Sequence, residues 1–161
     1  MKPGIRPDSV FISHRGNLQG RLSHQENTIP YIVQAIERGV DVEIDVWATN
    51  NKLMLGHDAP EHDVDYDFLR YYSDRLWIHC KNIDALSYMN GTPLHYFWHQ
   101  EDTYTLTSRG YIWCYPGVPT TEKCIIVLKD DDVRSDSNYL GICSDYVLSI
   151  KHGKLPQERG I

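Results

Sequence analysis

The stretch Val42-Glu43-Ile44-Asp45-Val46-Trp47 carries the alternation of a β-strand. Alternate side chains of a strand project to opposite faces, so its valines and isoleucine share one apolar face. Glu43 and Asp45 project together from the other face, about 6–7 Å apart at the rise of a strand. Two such carboxylates repel each other unless a cation lies between them, and oxygen ligands suit hard divalent cations. The pattern therefore predicts a metal-binding strand, with a strand that has one wet face as the alternative.

A second stretch, Leu76–Lys81, alternates in the same way, with His79 and Lys81 on its polar face. A histidine and a lysine near the end of a strand suit a site for a metal and an anion. The alternative is a hydrogen-bonded histidine beside a partly exposed lysine. His14 and His57 end two further apolar runs. Reaction sites of β/α barrels lie at the C-terminal ends of the strands, so these four strand ends are predicted to converge.

Strand-like runs alternate with helical or loop segments along the chain. One helix is predicted to begin after Thr28 and to end at Gly39, and two shorter helices are predicted with Asp65 and Asn82 as caps. Such alternation favours a parallel sheet or barrel. Further strands are predicted at Val10–Ser13, Lys52–Gly56, His95–His99, Tyr111–Cys114, Cys124–Leu128 and Ile142–Val147.

The length of 161 residues leaves little room for helices between so many strands. Segments 101–110 and 116–123 are too brief for full helices. The sequence therefore predicts an α/β fold, a compact or incomplete (β/α) barrel of TIM type with reduced helices in its second half. An open doubly wound sheet is the alternative, which no GxGxxG motif or P-loop supports. Residues 1–150 are expected to form this single domain, and residues 151–161 a polar C-terminal tail.

Composition and charge narrow the range of functions. Sixteen Lys and Arg against 22 Asp and Glu give a net charge of −6 without a basic stripe, which disfavours nucleic-acid binding. No run reaches the roughly 18 apolar residues of a membrane span, and the first 16 residues lack an apolar stretch of signal-peptide length. The four cysteines form no CxxC pair and are predicted to be reduced, buried thiols of a cytoplasmic protein.

Five motifs follow one another between residues 10 and 58. They are His14-Arg15-Gly16, Glu26-Asn27-Thr28, Ala35-x-x-x-Gly39, Glu43-x-Asp45-Val46 and Leu55-Gly56-His57-Asp58. Their order and spacing resemble the glycerophosphodiester phosphodiesterase family, and the sphingomyelinase D group is similar in site and fold. Lys81 resembles the active-site lysine of that family, and Cys143–Tyr146 more weakly resembles its last strand. The resemblance implies a (β/α)8 barrel that hydrolyses glycerophosphodiesters with a divalent cation.

The resemblance also implies roles for six residues. They are His14 and His57 as the acid–base pair, Glu43 and Asp45 as metal ligands, and Arg15 and Lys81 as phosphate contacts. The chemistry agrees, because a phosphodiester needs its charge neutralised and two proton transfers, which two imidazoles suit near neutral pH. Glu26 and Asn27 open the first helix and are expected to brace the site.

His79 departs from the family, which has an acidic third metal ligand at this position. Imidazole suits Zn or Mn better than Ca or Mg. One divalent ion is therefore predicted, Mg or Ca by the resemblance and Mn or Zn because of His79, with a non-ligating His79 as the alternative. Trp98 and Trp113 are candidates for the pocket rim, although large aromatic residues also fill the interior of small barrels.

These observations favour a metal-dependent phosphodiesterase that hydrolyses a small glycerophosphodiester-like substrate. One alternative is a lyase that stops at a cyclic phosphate, and another is a non-catalytic module that binds a phosphate ligand. The segment between His57 and Lys81 is too short for the family's inserted subdomain, so headgroup specificity is not carried over. The sequence assigns no oligomeric state.

Overall fold

The computed structural model describes residues 5–128 and 138–153, and within them it shows one curled ten-stranded sheet and four short helices. The strands are β1 (Val10–His14), β2 (Asp41–Thr49), β3 (Lys52–Leu55), β4 (His62–Val64), β5 (Leu76–Cys80), β6 (Tyr96–Phe97), β7 (Tyr104–Leu106), β8 (Ile112–Cys114), β9 (Cys124–Val127) and β10 (Gly141–Ser144). The helices are α1 (Ile29–Glu37), α2 (Tyr66–Tyr71), α3 (Ile83–Met89) and α4 (Val147–Lys151).

A parallel array forms the body of the sheet, in the order β6-β5-β2-β1-β10-β9-β8. Three further strands, β3, β4 and β7, pair antiparallel with their neighbours, so the parallel sheet that the sequence favoured is extended by antiparallel strands. Asn50 and Asn51 both have positive φ, the conformation that a two-residue hairpin turn requires, and they fold β3 back onto β2.

Single hydrogen bonds, and not a continuous β-ladder, link the two ends of the array in the described part of the chain. The backbone N–H of Ser108 donates to the carbonyl oxygen of Tyr96 at 2.8 Å. The hydroxyl of Thr105 donates to the carbonyl of Trp98, also at 2.8 Å. The sheet is therefore curled in the described part of the chain, which is compatible with an incomplete barrel, and the predicted α/β class is confirmed.

The alternation predicted for β2 and β5 separates two cores. Val42, Ile44 and Val46 belong to an outer core between the sheet and the helices. An inner core fills the concave side of the sheet. Its buried members are Ile12, Trp77, Phe97, Trp113, Ile125 and Cys143. Because the strands of the array are parallel, their C-terminal ends all lie at the same edge of this inner core.

The predicted helix boundaries are close to those observed. Asp65 accepts a hydrogen bond from the backbone of Phe68, and Asn82 accepts one from that of Ala85, so both predicted caps are confirmed. Helix α1 follows Thr28 and ends before Gly39, whose φ is +86°.

Several strand predictions need correction. Val147 begins α4 instead of ending a strand, and the strand predicted at His95–His99 is confined to the two residues of β6. Strands β4 and β7 were not predicted, because three residues are too few to show an alternating pattern. Of the predicted tail, Lys151 ends α4, and residues 154–161 lie outside the described part of the chain.

Two further expectations concern the cysteines and the membrane. All four cysteines are free and buried, as predicted. Burial raises the pKa of the Cys80 thiol to about 12, which keeps it protonated and unreactive. Within the described ranges, no helix has the length and apolar character needed to cross a bilayer.

His95 gives the fold a testable pH dependence. Its ring packs 4.2 Å from that of Trp77 and hydrogen-bonds Thr107. Burial, helped by Arg109, lowers the pKa of His95 to about 4. In the unfolded chain His95 has a pKa near 6.5 and binds this proton first, so stability is lost as the pH falls from about 6.5 to 4.

The variant His95→Gln tests this assignment, because it keeps a polar group but does not titrate. Urea titrations should show wild type losing about 1–3 kcal/mol more than this variant over that range. Parallel losses would contradict the assignment.

Candidate functional site

Side chains from four adjacent parallel strands meet at the C-terminal ends of those strands. His14 at the end of β1 is in register with Glu43 of β2, and Asp45 of β2 is in register with His79 of β5. Asp145 follows directly after β10. The sequence predicted that four strand ends would converge. The structure brings together those of β1, β2 and β5, whereas the predicted strand end that carries His57 differs.

Glu43, Asp45 and His79 form a cluster whose ligand atoms all lie within 4.8 Å of one another. Nδ1 of His79 is 3.2 Å from Oδ1 of Asp45 and 3.7 Å from Oε1 of Glu43. Nε2 of the same ring donates to the carbonyl of His99 at 2.7 Å, which leaves Nδ1 directed at the carboxylates. Glu43 Oε2 and Asp45 Oδ1 are buried and have no hydrogen-bond partner among the described residues. Two buried carboxylate oxygens that face cationic groups without a hydrogen bond, together with an oriented imidazole nitrogen, fit a divalent cation.

Electrostatic contacts between the side chains hold this cluster together. Burial opposes protonation of His79, but its contacts with Asp45 and Glu43 outweigh burial and raise its pKa to about 9. Burial alone would raise the pKa of Asp45, yet His79, Arg15 and Asn27 hold it well below its usual range. A proton on His79 therefore neutralises part of the carboxylate charge, and a bound cation would replace that proton.

His14 stands beside the cluster with a fixed orientation. Its Nδ1 lies 2.9 Å from Oδ1 of Asp145, and its Nε2 lies 3.7 Å from Oε2 of Glu43. Burial lowers the pKa of His14, but the hydrogen bond to Asp145 and the charge of Glu43 outweigh burial and raise it overall. A carboxylate on Nδ1 fixes the tautomer, so Nε2 is the nitrogen that can exchange a proton with a ligand.

Arg15 and its partners surround Asp45. Arg15 has a φ of +60°, and its Nε lies 3.3 Å from Oδ2 of Asp45 while Nη1 lies 3.4 Å from Oε2 of Glu26. Asn27 donates from Nδ2 to the same Asp45 oxygen at 2.9 Å and accepts from the Asp45 backbone at 3.0 Å. Lys81, just beyond β5, places Nζ 3.9 Å from Oδ1 of Asp45. Two cations and an amide thus converge on one carboxylate.

His57 is the predicted catalytic residue that does not join the cluster. The backbone of Gly56 donates to the Asp45 carbonyl, which brings β3 to the site. The His57 side chain, however, is 41% exposed and bonds Asp58 at 2.7 Å. Within the described residues, no hydrogen bond or ion pair connects it to the cluster. Gly56 directs this turn, because a Cβ there would collide with the Ala59 carbonyl.

The structure places neither predicted rim tryptophan at the site. Trp113 is buried in the inner core, with its ring 4.7 Å from that of Phe97. Trp98 packs against the outer core instead. Alternation along the β6 segment explains this placement, because Phe97 occupies the inner side. Trp113 instead fills the interior of the sheet, which was the alternative to a position at the pocket rim.

Asn17 and Asp145, for which the sequence predicted no role, complete the polar network. Asn17 is fully buried and donates from Nδ2 to both Glu26 and Asp145. Its Oδ1 accepts from the hydroxyl of Tyr31 and from the backbone of Leu22. A carboxylate after an apolar run was the available signal for Asp145. Asn17 follows the histidine motif but belongs to no pattern that would have identified it.

The cluster is separate from a groove that lies elsewhere among the described residues. That groove, of about 1100 Å³, lies between the β2–β3 turn, α2 and α3 and is lined by Asn50, Leu53, Asp65, Tyr66 and Tyr88 among others. Comparison with protein-family models, curated proteins and solved structures found no match for this chain. The family resemblance therefore stays a prediction, and a functional proposal has to rest on the geometry of the cluster.

Replacing Asn27 should show how strongly the site depends on its bracing. Asn27→Ala removes two buried hydrogen bonds with Asp45 and places alanine at a φ of +59°. We expect a loss of about 2–4 kcal/mol in unfolding free energy, measured in urea. Asn51→Ala is the control, because Asn51 is exposed and has a φ of +61°, and it should lose only about 1 kcal/mol. Equal losses would assign the whole effect to backbone strain.

Proposed function

We propose that the chain is a metal-dependent phosphodiesterase that hydrolyses small diesters of the glycerophosphodiester class. The supporting observation is the contact of the Glu43–Asp45–His79 cluster with two cationic side chains, Arg15 and Lys81. We further propose that the curled sheet is a shortened barrel of TIM type. Its polar cluster at the C-terminal strand ends and its filled interior agree with that architecture.

Glu43, Asp45 and His79 would hold the divalent ion. When bound, the ion supplies charge neutralisation at the phosphate and a lowered pKa for a water molecule. The imidazole ligand favours Mn or Zn over Mg or Ca. The His99 carbonyl supports this role of His79, because it accepts a hydrogen bond from Nε2 and so directs Nδ1 towards the carboxylates that would hold the ion.

Arg15 and Lys81 would bind the phosphate. Both contact Asp45 from the side of the strand ends, and both side chains are mostly shielded from water. Shielding strengthens their attraction for an anion, and the guanidinium fork matches phosphate oxygens. A negative charge that develops on the phosphate in the transition state is therefore stabilised by groups already in place.

His14 would transfer the proton. Hydrolysis breaks one P–O bond, adds water and releases an alcohol, so a proton leaves the nucleophile and another reaches the leaving oxygen. Nε2 of His14 faces Glu43, and Asp145 holds the ring, as general acid–base catalysis requires. His57 remains the candidate for the second transfer, and it would have to turn from Asp58 towards the cluster. The four buried, free cysteines agree with the cytoplasm as the working compartment.

Turnover of bis(p-nitrophenyl) phosphate tests the proposal. Protein freed of metal and then given Mg, Ca, Mn or Zn singly should recover activity with at least one ion. Glu43→Gln and His14→Ala should lower kcat/KM by about 100-fold or more, because each removes a group at the reacting centre. Asp63→Asn is the matched control, because it removes an exposed carboxylate from β4 and should leave turnover intact.

Three results would contradict the proposal in different ways. Metal binding without turnover would favour a binding module. With a glycerophosphodiester as substrate, whose glycerol arm carries a free neighbouring hydroxyl, a cyclic phosphate found by phosphorus NMR would identify a lyase. Failure to bind any ion in calorimetry would show that the interpretation of the buried carboxylates is wrong.

The identity of the ion has its own test at position 79. Wild type is expected to bind Mn or Zn more tightly than Ca, and His79→Asp should shift that preference towards Ca by about ten-fold or more, because oxygen replaces nitrogen. Isothermal titration with each ion measures the shift. His62→Asp supplies the control, because it makes the same change at a half-buried residue of β4. An unaltered preference in His79→Asp would exclude His79 as a ligand.

A further inference from the structure

Arg21 lies in the segment between β1 and α1, and its backbone is fixed on both sides. The N–H of Gly20 donates to the carbonyl of Asp145 at 2.9 Å. The N–H of Leu22 donates to Oδ1 of Asn17 at 3.1 Å. Residue 21 is therefore held between the end of β10 and the buried amide that links Glu26 to Asp145.

The Arg21 side chain shares a carboxylate with the phosphate-binding candidate Arg15. Its Nε donates to Oε1 of Glu26 at 3.0 Å, while Oε2 of that carboxylate is 3.4 Å from Nη1 of Arg15. Glu26 is buried, with 7% of its side chain exposed, whereas 60% of the Arg21 side chain is exposed. One buried carboxylate thus holds an inner guanidinium against Asp45 and an outer guanidinium at the surface.

The outer guanidinium retains donors for a ligand. Its Nη1 and Nη2 make no hydrogen bond with the described residues, although its Nε is occupied. The hydrogen bond and the charge of Glu26 raise the pKa of Arg21, and the charges of Asp145 and Asp58 add to this. Because Glu26 already orders the side chain, less conformational entropy is lost when it binds a ligand.

We infer that Arg21 is a specificity-determining residue that binds a second anionic group, in the arm of the substrate that does not react. A carboxylate or a phosphomonoester is the matching chemistry, because both accept two parallel N–H bonds from a guanidinium. This inference rests on the proposed phosphodiesterase activity. An ordinary surface ion pair contributes little to stability and needs no backbone fixation. The fixed backbone on both sides of residue 21 distinguishes Arg21 from such a pair.

Three p-nitrophenyl phosphodiesters provide the test, with the metal that supports turnover. Their second arms are ethyl, 2-carboxyethyl and 2-phosphoethyl, so the latter two separate a carboxylate from a phosphomonoester. The quantity compared is the ratio of kcat/KM for each anionic arm to that for the ethyl arm. Wild type should prefer an anionic arm, and Arg21→Gln should lower the ratio about ten-fold, through KM, as expected for one charge-assisted contact.

Two further variants sharpen the comparison. Arg21→Lys keeps the charge but not the fork, so it should recover only part of the ratio. Arg38→Gln removes an exposed arginine at the opposite end of α1 and should leave the ratio as in wild type. Melting curves of all variants establish that they are folded.

Three other outcomes would contradict either the role of Arg21 in specificity or the proposed phosphodiesterase activity. Equal loss with all three arms in Arg21→Gln would show that Arg21 acts only through Glu26, which overturns its role in specificity. Turnover by wild type without preference for an anionic arm would overturn that role and leave the phosphodiesterase intact. Absence of turnover with all three diesters would overturn the proposed function, and the inference about Arg21 with it.

Discussion

The repulsion between Glu43 and Asp45 is the constraint on which the rest of the site depends. Both carboxylates are buried on the same face of β2, where water cannot screen them. Each neighbouring strand or loop contributes compensation, including an imidazole from β5, a guanidinium from the end of β1 and an amide from the start of α1. A chain that only had to fold would avoid this arrangement, because apolar residues in these positions would remove the need for compensation. Stability alone therefore does not explain why two carboxylates are buried side by side in this cluster.

Those features that depend on local pattern could be predicted from the sequence. Alternation along β2 and β5 determined which side chains face inwards, and the parallel arrangement then brought His14, Glu43, Asp45 and His79 together. The caps Asp65 and Asn82 follow from the same local chemistry.

Features that depend on packing between distant segments could not be predicted in this way. Asn17 and Asp145 are 128 positions apart, and only the pairing of β1 with β10 brings them into contact. The exposure of His57 depends on a turn at Gly56 whose geometry no periodicity records. The choice between rim and interior for Trp113 depends on its packing against Trp77 and Phe97 of other strands, which alternation along β8 alone does not specify.

The filled interior also determines how any ligand exchanges with solvent. Below the polar cluster, Trp77, Phe97 and Trp113 pack ring against ring, and Ile12 and Cys143 close the remaining space. These packed rings lie on the N-terminal side of the cluster, so a ligand would approach the cluster from the C-terminal ends of the strands. Substrate and products would then share one direction of approach, and product release would have to precede the next binding event.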